Sequence, residues 1–182
     1  MSAMRTTSEK RTGQIILVTG GARSGKSGFA LSEALKMSGK KAFLATAEAM
    51  DKEMEDRIKR HKEDRGKGWK TFEEPLYLAR LLEEIDGRYP VIIVDCLTLW
   101  LANVMMADLD AEGETDCLMA AFRALRRSKV FIVSNEVGMG IVPENELARK
   151  FRDLAGRLNQ RVAAAADEVY ITVSGIPVKI KG

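Results

Sequence analysis

Residues 14–27, Gln14-Ile-Ile-Leu-Val-Thr-Gly-Gly-Ala-Arg-Ser-Gly-Lys-Ser27, decide the fold of this chain. The apolar and largely β-branched residues 14–19 predict a buried parallel strand. Residues 20–27 match the pattern GxxxxGK[ST], and a helical pattern with one apolar side begins at Lys26. Backbone N–H groups curled at a helix N-terminus attract phosphate oxygens. The stretch therefore predicts a phosphate-binding loop between a strand and a helix.

Three side chains near this loop have expected roles in binding a nucleotide. Lys26 can reach its outer phosphates, and Ser27 can ligate Mg²⁺. Asp95 ends the clearest strand pattern of the chain, residues 91–95. An acid at this place in phosphate-loop proteins holds Mg²⁺ directly or through water. The alternative is that Asp95 only caps the helix that follows.

The rest of the chain alternates predicted strands with predicted helices. The strands are expected at residues 14–19, 41–46, 91–95, 129–133, 169–173 and 178–181. The helices are expected at residues 26–37, from 51 to about 66, after Pro75, and at 96–106, 118–127 and 144–167. Residues 108–116 are expected to form an acidic surface linker, and Trp69 to pack in a loop. This alternation predicts an α/β fold: a mostly parallel sheet with helices on both faces and an antiparallel edge strand.

Length and composition narrow the class of protein. A chain of 182 residues favours one domain, which we place at residues 14–182 behind a flexible N-terminal tail, residues 1–13. With 29 basic and 26 acidic residues, the net charge of +3 is too small to indicate a nucleic-acid or membrane protein. Two cysteines without a CxxC pair and one histidine argue against a zinc site. No apolar run reaches the length of about 18 residues that a spanning helix needs. The polar start is unlike a signal peptide, so we expect a cytoplasmic protein.

The single histidine, His61, lies in a segment dense in charge. Arg57, His61 and Arg65 are four residues apart, so they share one face of the predicted helix. One interpretation is a solvated surface. The other is a nucleophilic site, since neighbouring cations lower the pKa of an imidazole and can hold the phosphate that it attacks. These residues alone do not choose between the two interpretations.

Several segments together resemble one family, from about Ile15 to the end of the chain. They are Thr19-Gly-Gly-Ala-Arg-Ser-Gly-Lys-Ser27, Ala45-Thr-Ala-Glu48, Asp51-Lys-Glu-Met54, Arg57-Ile-Lys-Arg-His-Lys62, Glu73-Glu-Pro75, Val94-Asp-Cys-Leu-Thr-Leu-Trp-Leu-Ala-Asn103, Ser134-Asn-Glu-Val-Gly-Met-Gly-Ile-Val-Pro143, Phe151-Arg-Asp153 and Ser174-Gly175, with Arg65, Trp69, Gly156 and Asn159-Gln160. The chain thus resembles the bifunctional adenosylcobinamide kinase/adenosylcobinamide-phosphate guanylyltransferases of cobalamin assembly.

The resemblance implies a RecA-like P-loop NTPase fold that assembles as a homotrimer. It implies phosphorylation of adenosylcobinamide with ATP or GTP, followed by transfer of GMP from GTP to adenosylcobinamide phosphate. The second reaction passes through a GMP-histidine intermediate, for which His61 is the only candidate in this chain. Lys26 is the other catalytic residue we expect, with Mg²⁺ held by Ser27 and Asp95. The nucleotide contacts implied are Gly20, Gly21, Ala22, Arg23, Ser24, Gly25, Lys26, Ser27, Thr46, Ala47, Glu48, Lys62, Glu63, Asp64, Arg65, Glu73 and Asp95.

Three rival functions fit the sequence less well. A different P-loop small-molecule kinase would leave His61 without a purpose. A RecA-like nucleic-acid-binding ATPase would need a basic stripe with stacking aromatics, whereas aromatics are 6% of this chain and acids alternate with bases. A nucleotide-gated interaction module would show no turnover. Residues 134–143 are a candidate corrinoid contact, because glycine-rich loops beyond strand ends bind ligands in open α/β sheets. A rigid turn or a trimer contact is the alternative.

Overall fold

The computed structural model describes residues 12–48, Lys52 and residues 68–182, and within them it contains one seven-stranded sheet. The strands are β1 (Gln14–Gly20), β2 (Lys41–Ala45), β3 (Trp69–Glu73), β4 (Val91–Asp95), β5 (Lys129–Val133), β6 (Glu168–Val173) and β7 (Ile176–Lys181). The helices are α1 (Lys26–Leu35), α2 (Leu78–Ile85), α3 (Leu97–Met106), α4 (Ala111–Ala124) and α5 (Glu146–Ala165).

The strand order is β3-β2-β4-β5-β1-β6-β7, and every neighbouring pair is parallel except the last. The antiparallel β6–β7 hairpin closes one edge of the sheet, as the sequence predicted. Pro177 lies inside β7 rather than in the turn. A proline is tolerated there because an edge strand leaves one row of its backbone groups unpaired.

Alternate residues of the central strands feed two separate cores. Ile15 and Leu17 pack into the larger core with side chains of α2, α3, α4 and α5. Ile16 and Val18 pack into the smaller core, which α1 covers with Ala30 and Ala34. This is the period of two that a strand buried on both faces requires. Helices therefore cover both faces of the sheet, and the predicted α/β architecture is confirmed.

Two local predictions were wrong. Helix α4 begins at Ala111, inside the segment predicted as an acidic linker. The Asp110 side chain caps it by accepting a hydrogen bond from the N–H of Glu112 at 3.1 Å, and acids in the first turn suit the helix dipole. Trp69 was expected in a packed loop but starts β3, with its ring centroid 6.3 Å from that of Phe43 in an edge-to-face contact.

Other predictions are only partly within reach of the structure. The predicted helix from residue 51 to about 66, apart from Lys52, and residues 1–11 of the predicted tail lie outside the described residues. The tail's last residue, Gly13, donates its N–H to the Leu125 carbonyl oxygen at 3.2 Å. In the parts of the chain that are described, no helix is both long and apolar enough to cross a membrane.

Candidate active site

The carboxyl ends of the parallel strands meet in one row. Ala45 is paired with both Glu73 and Asp95, Asp95 with Val133, and Val133 with Val18. Neighbouring strands are about 4.8 Å apart, so Asp95 lies two strands, or about 10 Å, from the strand that leads into the phosphate loop. Open α/β sheets bind their ligands along this edge.

Glycines permit the tight path of the phosphate loop. Gly20 has a φ of +148°, and a Cβ there would lie 2.5 Å from the Thr172 carbonyl oxygen. Gly25 is the N-cap residue of α1 in the left-handed conformation, with φ +95°. Its carbonyl oxygen accepts the N–H of Phe29 at 2.9 Å, the first intrahelical bond. Side chains at Gly20 and Gly25 would be strained, which explains why the motif has glycine at both places.

The ammonium of Lys26 folds back over its own loop. Its Nζ donates to the Gly21 carbonyl oxygen at 2.5 Å and reaches the Ser24 hydroxyl at 3.5 Å. Only 7% of the Lys26 residue is exposed, whereas Gly21 is exposed. Ser27 follows in the first turn of α1 and is half-buried. The loop thus holds one nearly buried cation beside a helix N-terminus, an arrangement that suits an anionic ligand.

The C-terminal hairpin braces the phosphate loop from the other side. The hydroxyls of Ser24 and Thr172 are 2.7 Å apart, and the Thr172 hydroxyl also donates to the Thr19 carbonyl oxygen at 3.3 Å. The N–H of Gly175 donates to the Ser24 carbonyl oxygen at 3.0 Å. Sequence reasoning missed Thr172, because nothing in a strand pattern shows which loop a buried threonine will face.

Thr46 joins the ends of β2 and β4. Its buried hydroxyl donates to the Cys96 carbonyl oxygen and accepts the N–H of Cys96, both at 2.8 Å. Its N–H donates to the Asp95 carbonyl oxygen at 3.2 Å, and its own carbonyl oxygen accepts from Asn103 Nδ2 at 2.7 Å. These contacts fix the backbone on both sides of Asp95. Next in the chain, Ala47 is half-buried and Glu48 exposed.

The pKa of the Cys96 thiol is affected by the charges around the end of β4. Burial, and after it the negative charge of Asp95, raise its pKa to about 11, although the positive charge of Lys26 works in the opposite direction. Lys26 is therefore near enough to affect the end of β4 electrostatically. The thiol itself stays protonated at neutral pH and is no candidate nucleophile.

A buried polar network holds the first residues after β5. The Ser134 hydroxyl donates to Asn159 Oδ1 at 2.6 Å and lies 3.3 Å from the Thr98 hydroxyl. The N–H of Asn135 donates to Thr98 Oγ1 at 2.7 Å, and its carbonyl oxygen accepts from Asn159 Nδ2 at 3.0 Å. Ser134, Thr98 and Asn159 are all buried. Helices α3 and α5 thus fix residues 134–136 from two sides.

Glu136 follows this network and touches the start of the phosphate loop. Its N–H donates to the Gly20 carbonyl oxygen at 2.9 Å. Its Oε2 accepts from the Thr19 hydroxyl at 3.4 Å and from Asn159 Nδ2 at 3.5 Å. The sequence already showed an acid shortly after an apolar strand, but the contacts with Thr19 and Asn159 depend on the fold.

The structure brings together most of the residues predicted to bind a nucleotide. Those it places along the carboxyl edge are Gly20, Gly21, Ala22, Arg23, Ser24, Gly25, Lys26, Ser27, Thr46, Ala47, Glu48, Glu73 and Asp95. Five more predicted site residues lie outside the described residues: His61, Lys62, Glu63, Asp64 and Arg65. Their roles stay predictions. Within the described ranges, no group of three or more His, Cys, Asp or Glu residues is arranged to hold a metal ion.

Comparison with known proteins decides the family. The family model CobU, cobinamide kinase / cobinamide phosphate guanyltransferase, matches residues 16–180. The chain belongs to this family. The resemblance predicted from the sequence is confirmed, and with it the kinase and guanylyltransferase functions that define the CobU family.

Curated relatives agree with the family match. The chain is 44% identical to the bifunctional adenosylcobalamin biosynthesis protein CobU of Salmonella typhimurium, over 92% of this chain and 99% of that protein. It is 43% identical to the Escherichia coli protein of the same name, with the same coverage. The bifunctional adenosylcobalamin biosynthesis protein CobP of Pseudomonas aeruginosa is 41% identical, over 91% of this chain and 96% of that protein.

A solved structure supports the fold alone. The RadB recombinase matches 87% of this chain and 73% of its own with a TM-score of 0.52, at 14% sequence identity. The expected RecA-like P-loop NTPase fold is confirmed for this member of the CobU family.

Proposed function

We propose that this chain phosphorylates adenosylcobinamide with ATP or GTP and then transfers GMP from GTP to the new phosphate. The product is adenosylcobinamide-GDP, and the second reaction passes through GMP bound covalently to His61. One observation carries the proposal: in a chain of the CobU family, the nearly buried Lys26 lies in a phosphate loop at the same sheet edge as Asp95.

The nucleotide binds along the carboxyl edge in this proposal. Its phosphates take hydrogen bonds from the backbone of residues 20–27 and from Lys26, whose ammonium exchanges the Gly21 carbonyl for phosphate oxygens. Thr46, Ala47, Glu48, Glu73 and Asp95 complete the part of the site that the structure describes. Lys62, Glu63, Asp64 and Arg65 are proposed to contact the same nucleotide.

Mg²⁺ would be held by Ser27 and Asp95. The two side chains fit the ion, because a hydroxyl and a carboxylate are the oxygen donors that Mg²⁺ prefers, with water and substrate phosphates filling its other positions. When bound, the ion would neutralise charge on the nucleotide phosphates. Lys26 would also neutralise negative charge on the nucleotide phosphates, from the side of the phosphate loop, and the α1 N-terminus adds its partial positive charge.

His61 separates the two reactions chemically. Its imidazole attacks the α-phosphorus of GTP and expels pyrophosphate, after which adenosylcobinamide phosphate attacks the same phosphorus and frees the histidine. Phosphorylation of adenosylcobinamide takes place at the γ-phosphorus and needs no histidine nucleophile. The one phosphate loop therefore serves both reactions, whereas His61 serves one.

Assembly and location are further parts of the proposal. We expect residues 14–182 to act as a single catalytic domain in a cytoplasmic homotrimer. Light scattering at micromolar concentration should give the mass of three chains. A monomer with full guanylyltransferase activity would contradict the trimer.

Replacement of Lys26 by alanine tests the shared nucleotide site. Loss of one preorganised charge contact costs about 3–4 kcal/mol in the transition state, so both rates should fall at least about a hundredfold. Lys36→Ala is the matched control, because Lys36 is exposed and pairs with Glu33 on the surface of α1's C-terminal end. Kinase and guanylyltransferase rates are measured on the same preparations. Two near-normal rates in the Lys26 variant would contradict the proposed site.

A further inference from the structure

Glu136 lies between Asp95 and the phosphate loop, the two parts of the site that are proposed to bind the nucleotide. Strand β5 is flanked by β4, which ends at Asp95, and by β1, which leads into the phosphate loop. Glu136 follows β5, and its N–H is bonded to the Gly20 carbonyl oxygen at 2.9 Å. The terminal phosphate of a nucleotide held by Lys26 and Asp95 belongs to this same stretch of the sheet edge.

The two acids approach that edge from opposite faces of the sheet. Asp95 is two residues after Ile93 in β4, so both lie on the same face of the sheet, and Ile93 packs into the smaller core with α1. Glu136 contacts Thr19, which is two residues after Leu17 in β1. Thr19 and Leu17 therefore lie on the same face of the sheet, and Leu17 packs into the larger core with α5. In phosphoryl transfer the attacking and leaving oxygens are roughly in line on opposite sides of the phosphorus. If the nucleotide lies on the α1 side of the sheet, the attacking oxygen therefore approaches from the α5 side, where Glu136 lies.

The carboxylate of Glu136 is held in place but keeps capacity to accept a proton. Oε2 takes hydrogen bonds from Thr19 at 3.4 Å and from Asn159 at 3.5 Å. Among residues 12–48 and 68–182, no donor makes a hydrogen bond with Oε1. The buried network of Thr98, Ser134 and Asn159 fixes the backbone from which the side chain projects. Such support is what a positioned acid–base group needs.

We propose that Glu136 is the general base of the kinase step, a role that rests on the kinase activity of the family. Its carboxylate takes the proton of the corrinoid hydroxyl as the hydroxyl oxygen forms a bond to the γ-phosphorus. The bond from the γ-phosphorus to the β–γ bridging oxygen breaks, and its electron pair leaves with the nucleoside diphosphate. Guanylyl transfer needs no such base, because a phosphate monoester is already ionised at neutral pH.

The test compares Glu136→Gln with Glu144→Gln, an exposed glutamate farther along the same connection. General-base catalysis contributes about 10²–10⁴-fold, so the Glu136 variant should lose that much kinase rate. Its covalent uptake of GMP, and its transfer of GMP to supplied adenosylcobinamide phosphate, should equal those of the wild type. The Glu144 variant should match the wild type in all three assays.

Two further readouts separate a base from a merely structural residue. The kinase rate of the wild type should fall on the acid side of its pH profile as the base is protonated, and this limb should be absent from the residual rate of Glu136→Gln. Glu136→Asp, which keeps the carboxylate, should recover part of the kinase rate. Full kinase activity in Glu136→Gln would overturn the role, as would an equal loss of both reactions. A wild-type protein with no kinase turnover would instead overturn the proposed function, and this role with it.

Discussion

Ser24 and Thr172 share a hydrogen bond of 2.7 Å between their hydroxyl oxygens, although 148 residues separate them in the chain. The bond joins the phosphate loop to the last parallel strand of the sheet. Both residues are buried, and the Cβ position of Gly20 is closed by the same two side chains. The shape of the loop therefore depends on β6 as well as on its own glycines.

Thr172→Val should loosen the phosphate loop. The substitution keeps the shape of the side chain but leaves the buried Ser24 hydroxyl without this partner, which costs about 1–3 kcal/mol of folding stability. Because the loop serves both reactions, the KM for GTP should rise in both. Steady-state kinetics and urea unfolding measure the two effects.

Thr115→Val is the control for that variant. Thr115 is also buried and also loses one hydroxyl bond, to the Ala111 carbonyl oxygen at 2.7 Å, but it lies in α4, away from the carboxyl edge. We expect a stability change without a change in KM. Equal KM values in the two variants would show that Thr172 does not support the loop.

Gly20→Ala and Gly21→Ala should differ sharply in stability. Gly20 combines a φ of +148° with a Cβ position 2.5 Å from a backbone oxygen, whereas a Cβ at Gly21 meets no atom within 4 Å. Strained backbone of this kind costs about 1–3 kcal/mol. Thermal unfolding should show a lower Tm for the Gly20 variant and little change for Gly21. Identical melting curves would contradict the loop geometry.

The sequence predicted the elements of the fold whose residue pattern is typical of only one kind of structure. The run at residues 91–95 is apolar throughout and became β4, and the alternating order of elements predicted the parallel sheet. The start of α4 was missed because Gly113 and the acids around it are also typical of surface loops. Strand β3 was missed because it is short, polar in part and at the sheet edge, where packing on one neighbour decides the conformation.

For the candidate site too, the sequence predicted one part and missed another. The phosphate loop could be predicted because its chemistry lies within eight consecutive residues. The contacts of Thr172 with Ser24 and of Asn159 with Glu136 could not, since they join residues 148 and 23 positions apart. Such contacts depend on strand order and on the rotation of α5, which local patterns do not encode.

Asp86 should make stability depend on pH in the acid range. Burial alone would raise its pKa, but backbone hydrogen bonds from Arg126, Arg127 and Ser128 and a side-chain bond with Ser128 outweigh it, so the pKa lies below the ordinary value of 3.8. A lowered folded pKa gives stability that is complete above 3.8 and is lost as pH falls through the folded value. Urea unfolding of Asp86→Asn should therefore show a deficit at neutral pH that shrinks below pH 3.8.

Asp153→Asn is the control for the pH experiment. Asp153 is exposed on α5, and the structure gives it no hydrogen bond or ion pair with another described residue. Because its replacement removes no such contact, its variant should lack the stability deficit of Asp86→Asn at neutral pH. A deficit for Asp86→Asn that stays constant through the acid range would refute a role for the charge and leave only the loss of shape.

In the proposed function, one phosphate loop serves two reactions and His61 carries only the guanylyl group. Intact-mass spectrometry after incubation with GTP and Mg²⁺ tests this assignment, with the attachment site then located by fragmentation. The wild type should carry one covalent GMP on His61, and His61→Asn should carry none while it keeps its adenosylcobinamide kinase activity. GMP attached to another residue, or covalent GMP retained by His61→Asn, would contradict it.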